Sequence, residues 1–78
     1  MLPIPQILDV VALLENIPEE GLLRGEIGTI VDMYADACEV EFVDKRGQTY
    51  AMLPLQTHQF IILRLHRTPL EREIQPSV

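Results

Sequence analysis

Residues 38–42 read Cys-Glu-Val-Glu-Phe, and this strict alternation is the strongest constraint on the chain. A period of two sets Cys38, Val40 and Phe42 on one face of a strand and Glu39 and Glu41 on the other. Turn chemistry brackets the run. Ala35 to Ala37 form a tight turn around Asp36 on one side, and Asp44-Lys45-Arg46-Gly47 forms a second turn on the other. Gly47 can take the left-handed position that closes a hairpin with a bulge. A half-buried strand with turns at both ends requires strand neighbours.

Those neighbours can be read on either side. Ile27, Thr29, Val31 and Met33 share one face of an earlier strand, and Gly28, Ile30, Asp32 and Tyr34 share the other. Ile30 sits among mostly polar neighbours, so this alternation needs a bend at which the strand switches faces. Gln48 to Leu53 is the next strand, which Pro54 ends or bends. Gln56 to Gln59 fits one turn of 3₁₀ helix, with His58 as its cap. Phe60 to Leu65 is the last strand, apolar because it closes the core. Asp9 to Glu15 is open between strand and short helix, and a strand is favoured because every later element needs a strand partner.

Upstream, Pro3 and Pro5 exclude a central strand over residues 1–8. Asn16 to Gly25 is a loop, with Leu22 and Leu23 expected over one end of the core. Its glycines do not make a phosphate site. Gly21-x-x-x-Gly25-x-x-Gly28 matches neither a dinucleotide fingerprint nor a phosphate loop, and Glu19, Glu20 and Glu26 would repel a phosphate. Gly21, Gly25, Gly28 and Gly47 are therefore structural, serving turns and close backbone crossings.

Seventy-eight residues allow one domain, which buries only about 60% of its unfolded surface. The barrel expected below takes residues 1–67, and 68–78 form a polar tail, partly ordered at most. Thr68-Pro69-Leu70-Glu71 can start a turn or two of helix in that tail. A single cysteine, Cys38, permits no internal disulfide and no cysteine pair for zinc. No apolar run reaches the roughly 18 residues of a membrane helix, and the first ten residues lack the form of a signal peptide. The expected compartment is the cytoplasm.

Charge divides the chain. Residues 1–44 carry ten carboxylates and one base, Arg24, whereas residues 45–78 carry five bases and two carboxylates. A net charge of −6 opposes binding to nucleic-acid phosphates. A nucleic-acid barrel also needs a basic groove with exposed aromatics. Here the four aromatics are Tyr34, Phe42, Tyr50 and Phe60, the two phenylalanines belong in the core, and Lys45 and Arg46 are confined to a hairpin tip.

No catalytic, cofactor or metal site is expected. His58 and His66, even with Asp9, do not make a convergent ligand set. Cys38 shares the face of Val40 and Phe42, where burial makes a thiol inert. The one serine, Ser77, has no triad around it. The loop Asn16 to Glu26, with Tyr34 and Tyr50, instead suggests an acidic, partly aromatic face. Glu19, Glu20, Glu26, Tyr34 and Tyr50 are the candidate contacts for a basic protein. The apolar edge at Phe60 to Leu65 and a 47% apolar composition add the expectation of a homodimer.

Five short strands, a long first loop, two tight hairpins and a 3₁₀ turn before the last strand resemble an SH3-like barrel. More specifically, LDVVALLENIPEEGLLRGEIGTIVDMY followed by EVEFVDKRGQTYAMLPLQTHQF resembles the DUF4926 family of small bacterial proteins. The resemblance spans about three quarters of the chain and implies an all-β, five-stranded SH3-like barrel with no established activity. It also carries a loose association with toxin–antitoxin or immunity genes. The expectation is a noncatalytic interaction module, antitoxin- or immunity-like, with a nucleic-acid-associated barrel and a small enzyme or accessory subunit as alternatives.

Overall fold

The computed structural model describes residues 4–64. Five strands form one antiparallel sheet: β1 (Val10–Leu13), β2 (Ile27–Met33), β3 (Cys38–Val43), β4 (Thr49–Leu55) and β5 (Phe60–Ile62). Two single 3₁₀ turns, η1 (Pro18–Glu20) and η2 (Thr57–Gln59), interrupt the connections. The order across the sheet is β4-β3-β2-β1-β5. The fold is all-β, and Val10–Leu13 is a strand rather than a helix. Leu65, His66 and the tail 68–78 lie outside the described residues, as does the helical turn expected there.

The SH3-like barrel expected from the sequence is not formed. β4 and β5 lie at opposite ends of the sheet, and no ladder joins them. The physical reasons lie in the two edges. β5 is three residues long rather than the six expected, so it offers little backbone to zip. β4 carries Pro54 within the strand, opposite Glu39. Pro54 does not end β4, which runs on to Leu55. An edge strand tolerates proline, because the missing N–H costs nothing on the free side.

The alternation at residues 38–42 is real. Cys38, Val40 and Phe42 are buried, and Glu39 and Glu41 face outward. In β2 the pairing steps from Ile30 opposite Val40 to Asp32 opposite Glu39. Val31 is the extra residue of a bulge, and there the alternation of β2 breaks. A second irregularity, between Phe42 paired with Ala51 and Val43 paired with Thr49, leaves Tyr50 as the extra residue of β4. The turn before it is closed by Asp44, whose Oδ1 accepts hydrogen bonds from the N–H groups of Arg46 (2.8 Å) and Gln48 (3.0 Å). Gly47 has φ +81° there, a left-handed value that an L side chain rarely adopts.

One apolar cluster is the core: Val11, Leu13, Ile17, Leu22, Ile30, Cys38, Val40, Phe42, Ala51, Leu55 and Phe60. Gly28 lies within it because no side chain fits. A Cβ there would stand 2.6 Å from Val40 Cγ1, 2.9 Å from Phe42 Cε2 and 3.0 Å from the Glu41 carbonyl oxygen. Phe42 fills the space that Gly28 leaves open. Leu22 is fully buried, but Leu23 is 63% exposed and does not cover the core as expected. Ile17 and Leu22 point inward together because their backbones exchange two hydrogen bonds around η1, of 2.8 and 3.1 Å.

Candidate functional site

The loop between β1 and β2 is braced throughout. Gly25 N–H donates to the Leu13 carbonyl (2.8 Å), and Leu13 N–H donates to the Glu26 carbonyl (2.9 Å). Arg24 N–H donates to Asn16 Oδ1, and Leu23 N–H donates to Glu26 Oε2, both at 2.8 Å. Gly21 and Gly25 take the left-handed backbone these reversals need. Glu19 and Glu20 are exposed on η1. Ten carboxylates and four bases lie within residues 4–64, and among the described residues the one ion pair is Arg64 with Asp9. Glu19 and Glu20 therefore have no ion-pair partner among the described residues.

The structure brings Glu26 and Tyr50 together. The Tyr50 hydroxyl donates to Glu26 Oε1 at 2.5 Å, and the ring lies 6.4 Å from that of Phe42, tilted by 45°. The hydrogen bond to the carboxylate, helped by partial desolvation, pushes the Tyr50 phenol up to about 12. The bulge places Tyr50 there, and that long-range contact leaves no local trace in sequence.

Tyr34 does not join this surface. It follows β2, and its hydroxyl donates to Glu39 Oε1 at 3.0 Å, which raises the phenol. Tyr34 is near the Cys38 end of β3 and Tyr50 near the Val43 end, about 17 Å apart along a six-residue strand. Glu19, Glu20, Glu26 and Tyr50 remain as one end of the sheet. Tyr34 belongs to the other end, a separation that a list of exposed aromatics does not reveal.

A second feature lies along the apolar edge at Phe60 to Leu65, which the sequence offered for a homodimer but not as a groove. An open groove of about 440 Å³ is lined by Phe60, Ile61 and Ile62 of β5, by Thr57 and His58 of η2, and by Ile4 and Pro5. Fasteners hold β5 at both ends. At one end Leu14 N–H donates to the Gln59 carbonyl (2.9 Å), and Gln59 Nε2 donates to Glu15 Oε2 (2.9 Å). Gln59 Oε1 also accepts from Gln56 N–H (2.8 Å). Gln59, not His58, thus anchors η2, while His58 faces the groove.

At the other end Arg64 clasps the segment before β1. Its Nη2 donates to Asp9 Oδ2 (2.8 Å) and to the Ile4 carbonyl (2.7 Å), and its Nε donates to Asp9 Oδ1 (3.2 Å). The guanidinium holds the Asp9 carboxyl below the usual carboxylate range. Asp9 Oδ2 also accepts from Gln6 N–H (2.8 Å) and so closes a turn in which Leu8 has φ +76°. That backbone costs a non-glycine residue roughly 1–2 kcal/mol. Asp9 and Arg64 are 55 residues apart, and only a contact map could have linked them.

Neither groove nor loop assembles reactive groups. Cys38 is buried, and burial, with the Asp9 charge adding to it, raises its thiol. Among the described residues no group of three His, Cys, Asp or Glu side chains could hold a metal ion. His66, the second histidine weighed from sequence, lies outside them. No helix among the described residues is long and apolar enough to cross a membrane.

A family model described as "Domain of unknown function (DUF4926)" matches residues 7–62, more than half of the chain. The chain belongs to the DUF4926 family. The matched span begins in the turn that Asp9 closes and ends with β5, so it contains the whole sheet. This DUF4926 chain keeps its sheet open, contrary to the closed barrel that the resemblance implied. No match is found among curated proteins or among solved structures.

Proposed function

We propose that this protein is a noncatalytic protein-interaction module of the cytoplasm whose partner is a basic protein. The observation that carries the reading is the acidic loop. Glu19 and Glu20 stand exposed on a rigidly braced turn, beside the end of the sheet where Glu26 is held by Tyr50. Preorganised charge of one sign speeds association with an oppositely charged surface and selects against like-charged partners. A toxin-like basic protein fits that chemistry, which is the antitoxin or immunity role expected from the resemblance.

Capture from the native cell, followed by binding measurements on the purified partner, tests this. Binding should weaken as salt rises, and Glu19→Lys with Glu20→Lys should weaken it at least tenfold. Unchanged binding in that double variant removes the loop as the contact. Recovery of nucleic acid without a stoichiometric protein overturns the reading. The homodimer expected from composition is the second reading, and the exposed apolar side chains of Ile61 and Leu63 favour it. Sedimentation at micromolar concentration checks it, and a clean 8.9 kDa species would rule it out.

A further inference from the structure

We propose that the free edge of β5 is a strand-addition site for an extended segment of a partner protein, apolar at alternate positions and flanked by basic residues. The proposal rests on the reading of this chain as a module for a basic protein, and it names a different contact from the acidic loop.

The hydrogen bonds set the direction of the edge. Leu14 N–H donates to the Gln59 carbonyl, and Leu63 N–H donates to the Val10 carbonyl. In an antiparallel ladder the bonded pairs recur at every second residue. Gln59, Ile61 and Leu63 therefore turn their backbone groups toward β1, and Phe60 and Ile62 turn theirs outward. Among the described residues no strand pairs with that side. The outward N–H and C=O groups of Phe60 and Ile62 border the apolar groove, where an added strand would satisfy them and bury its own side chains.

Size and charge choose the occupant. The extended part of the groove wall, Phe60 to Ile62, spans roughly 7 Å, two steps of a strand. A three-residue edge falls far short of the roughly 800 Å² per partner that a stable protein interface buries. A short peptide segment needs no such area and binds chiefly through main-chain hydrogen bonds. Among the described residues no unpaired Lys or Arg adjoins β5. Arg64 is occupied by Asp9, and Lys45 and Arg46 lie on the β3–β4 turn, on the far side of the sheet order. Glu15, bonded to Gln59 at the start of β5, has no cation paired to it among the described residues, and its charge favours a basic flank on the occupant.

The test is amide NMR on the full chain, titrated with a synthetic seven-residue peptide that carries alternating valines and a lysine at each end. Two control peptides accompany it, one N-methylated at the bonding positions and one with glutamates for the lysines. The expected result is a shift of the Phe60 and Ile62 amides and their slowed hydrogen exchange, lost with the N-methylated peptide. Affinity should be at least tenfold weaker with the glutamate-flanked peptide. Equal affinity for both flanks overturns the basic specificity. Shifts confined to the Glu19–Glu20 loop overturn the edge site while sparing the acidic-loop reading. Protection of Phe60 and Ile62 before any peptide is added also overturns it. If that protection depends on protein concentration the occupant is a second copy, and if it does not the occupant is the chain itself. Binding of the lysine peptide should persist in the Glu19→Lys, Glu20→Lys variant, so the two contacts can fail separately.

Discussion

The two edges of this sheet are held by opposite means. β4 is anchored from beneath, by buried Ala51 and Leu55 and by Tyr50 lying on Phe42. Its outer side is blunted by the bulge at Tyr50 and by Pro54, two devices that keep an edge from pairing. β5 buries Phe60 but is three residues long, and surface fasteners hold it, Gln59 at one end and Arg64 at the other. Its outer side carries no proline and no charge within the strand. The difference teaches that edge protection and edge stability are separate properties. The well-anchored edge is blunted against pairing, and the edge fixed by polar clamps pairs with no further strand among the described residues.

Removing the anchor of the β4 side should have the largest effect. Phe42 is fully buried and is the largest such side chain. Phe42→Ala should cost about 3–5 kcal/mol, the range for truncating a buried aromatic. Urea unfolding measures it. Hydrogen exchange should show β3 and β4 opening together, and a loss confined to β5 would contradict the division drawn between the edges.

The same site can be overfilled instead of emptied. Gly28→Ala places a methyl group against Val40, Phe42 and the Glu41 carbonyl, and the last is backbone. Overpacking of this kind costs roughly 1–3 kcal/mol. Adding Phe42→Leu should recover part of the loss if the ring is the main obstacle. If the second substitution recovers nothing, Val40 Cγ1, the nearest atom at 2.6 Å, or the backbone of β3 sets the limit.

How much of this was legible differs along the same line. The alternation in β3 and the Asp44–Gly47 turn are local, because one wet face and one left-handed residue each leave a mark within a few positions. The buried phenylalanines and the loop ending at Gly25 were readable for similar reasons. Closure was not, because it depends on how far β5 runs and on where Pro54 falls relative to a free edge. The fasteners were illegible for a different reason. Asp9 with Arg64, Glu15 with Gln59 and Glu26 with Tyr50 join residues 55, 44 and 24 positions apart. Polar pairs at such separations carry no period. The proposed face failed at Tyr34 because exposure can be guessed from sequence, whereas the end of a strand to which a residue belongs depends on register.

The clamp on the β5 side should answer to pH. The Asp9 carboxyl lies below its ordinary value of 3.8 in the fold because Arg64 is bonded to it. A depressed carboxyl contributes stability above its unfolded value and loses it as pH falls through its folded value. Asp9→Asn keeps an acceptor for Gln6 and Arg64 but removes the charge. Near neutral pH the variant should melt a few degrees lower, with faster exchange at Leu63 than at β4. The gap should narrow as pH falls below about 3.8 and close only below the folded value, once the wild-type carboxyl is protonated too. A gap that persists unchanged into acid would show that shape, not charge, holds the clasp.

The smallest effect belongs to the link from the β4 edge to the acidic loop, and it has a clean spectroscopic signature. The chain has two tyrosines and no tryptophan, so phenolate absorbance reports on Tyr34 and Tyr50 alone. Both phenols are raised by neighbouring carboxylates, Tyr50 to about 12. A raised phenol binds its proton more tightly in the fold, so its contribution is whole below the unfolded value, roughly 10, and fades as pH climbs through the folded one. Glu26→Gln removes the charge while keeping an acceptor, and should bring the Tyr50 titration back toward the ordinary range while leaving Tyr34 unmoved. Because Tyr50 is half exposed, solvent screens the pair, and the loss at neutral pH should stay below about 1 kcal/mol. Tyr50→Phe should match it, since the ring on Phe42 remains and only the hydroxyl goes. A much larger loss in either variant would mean that this bond helps to hold the β4 edge in place. That would remove the distinction between an edge fixed by its core and an edge fixed by its surface.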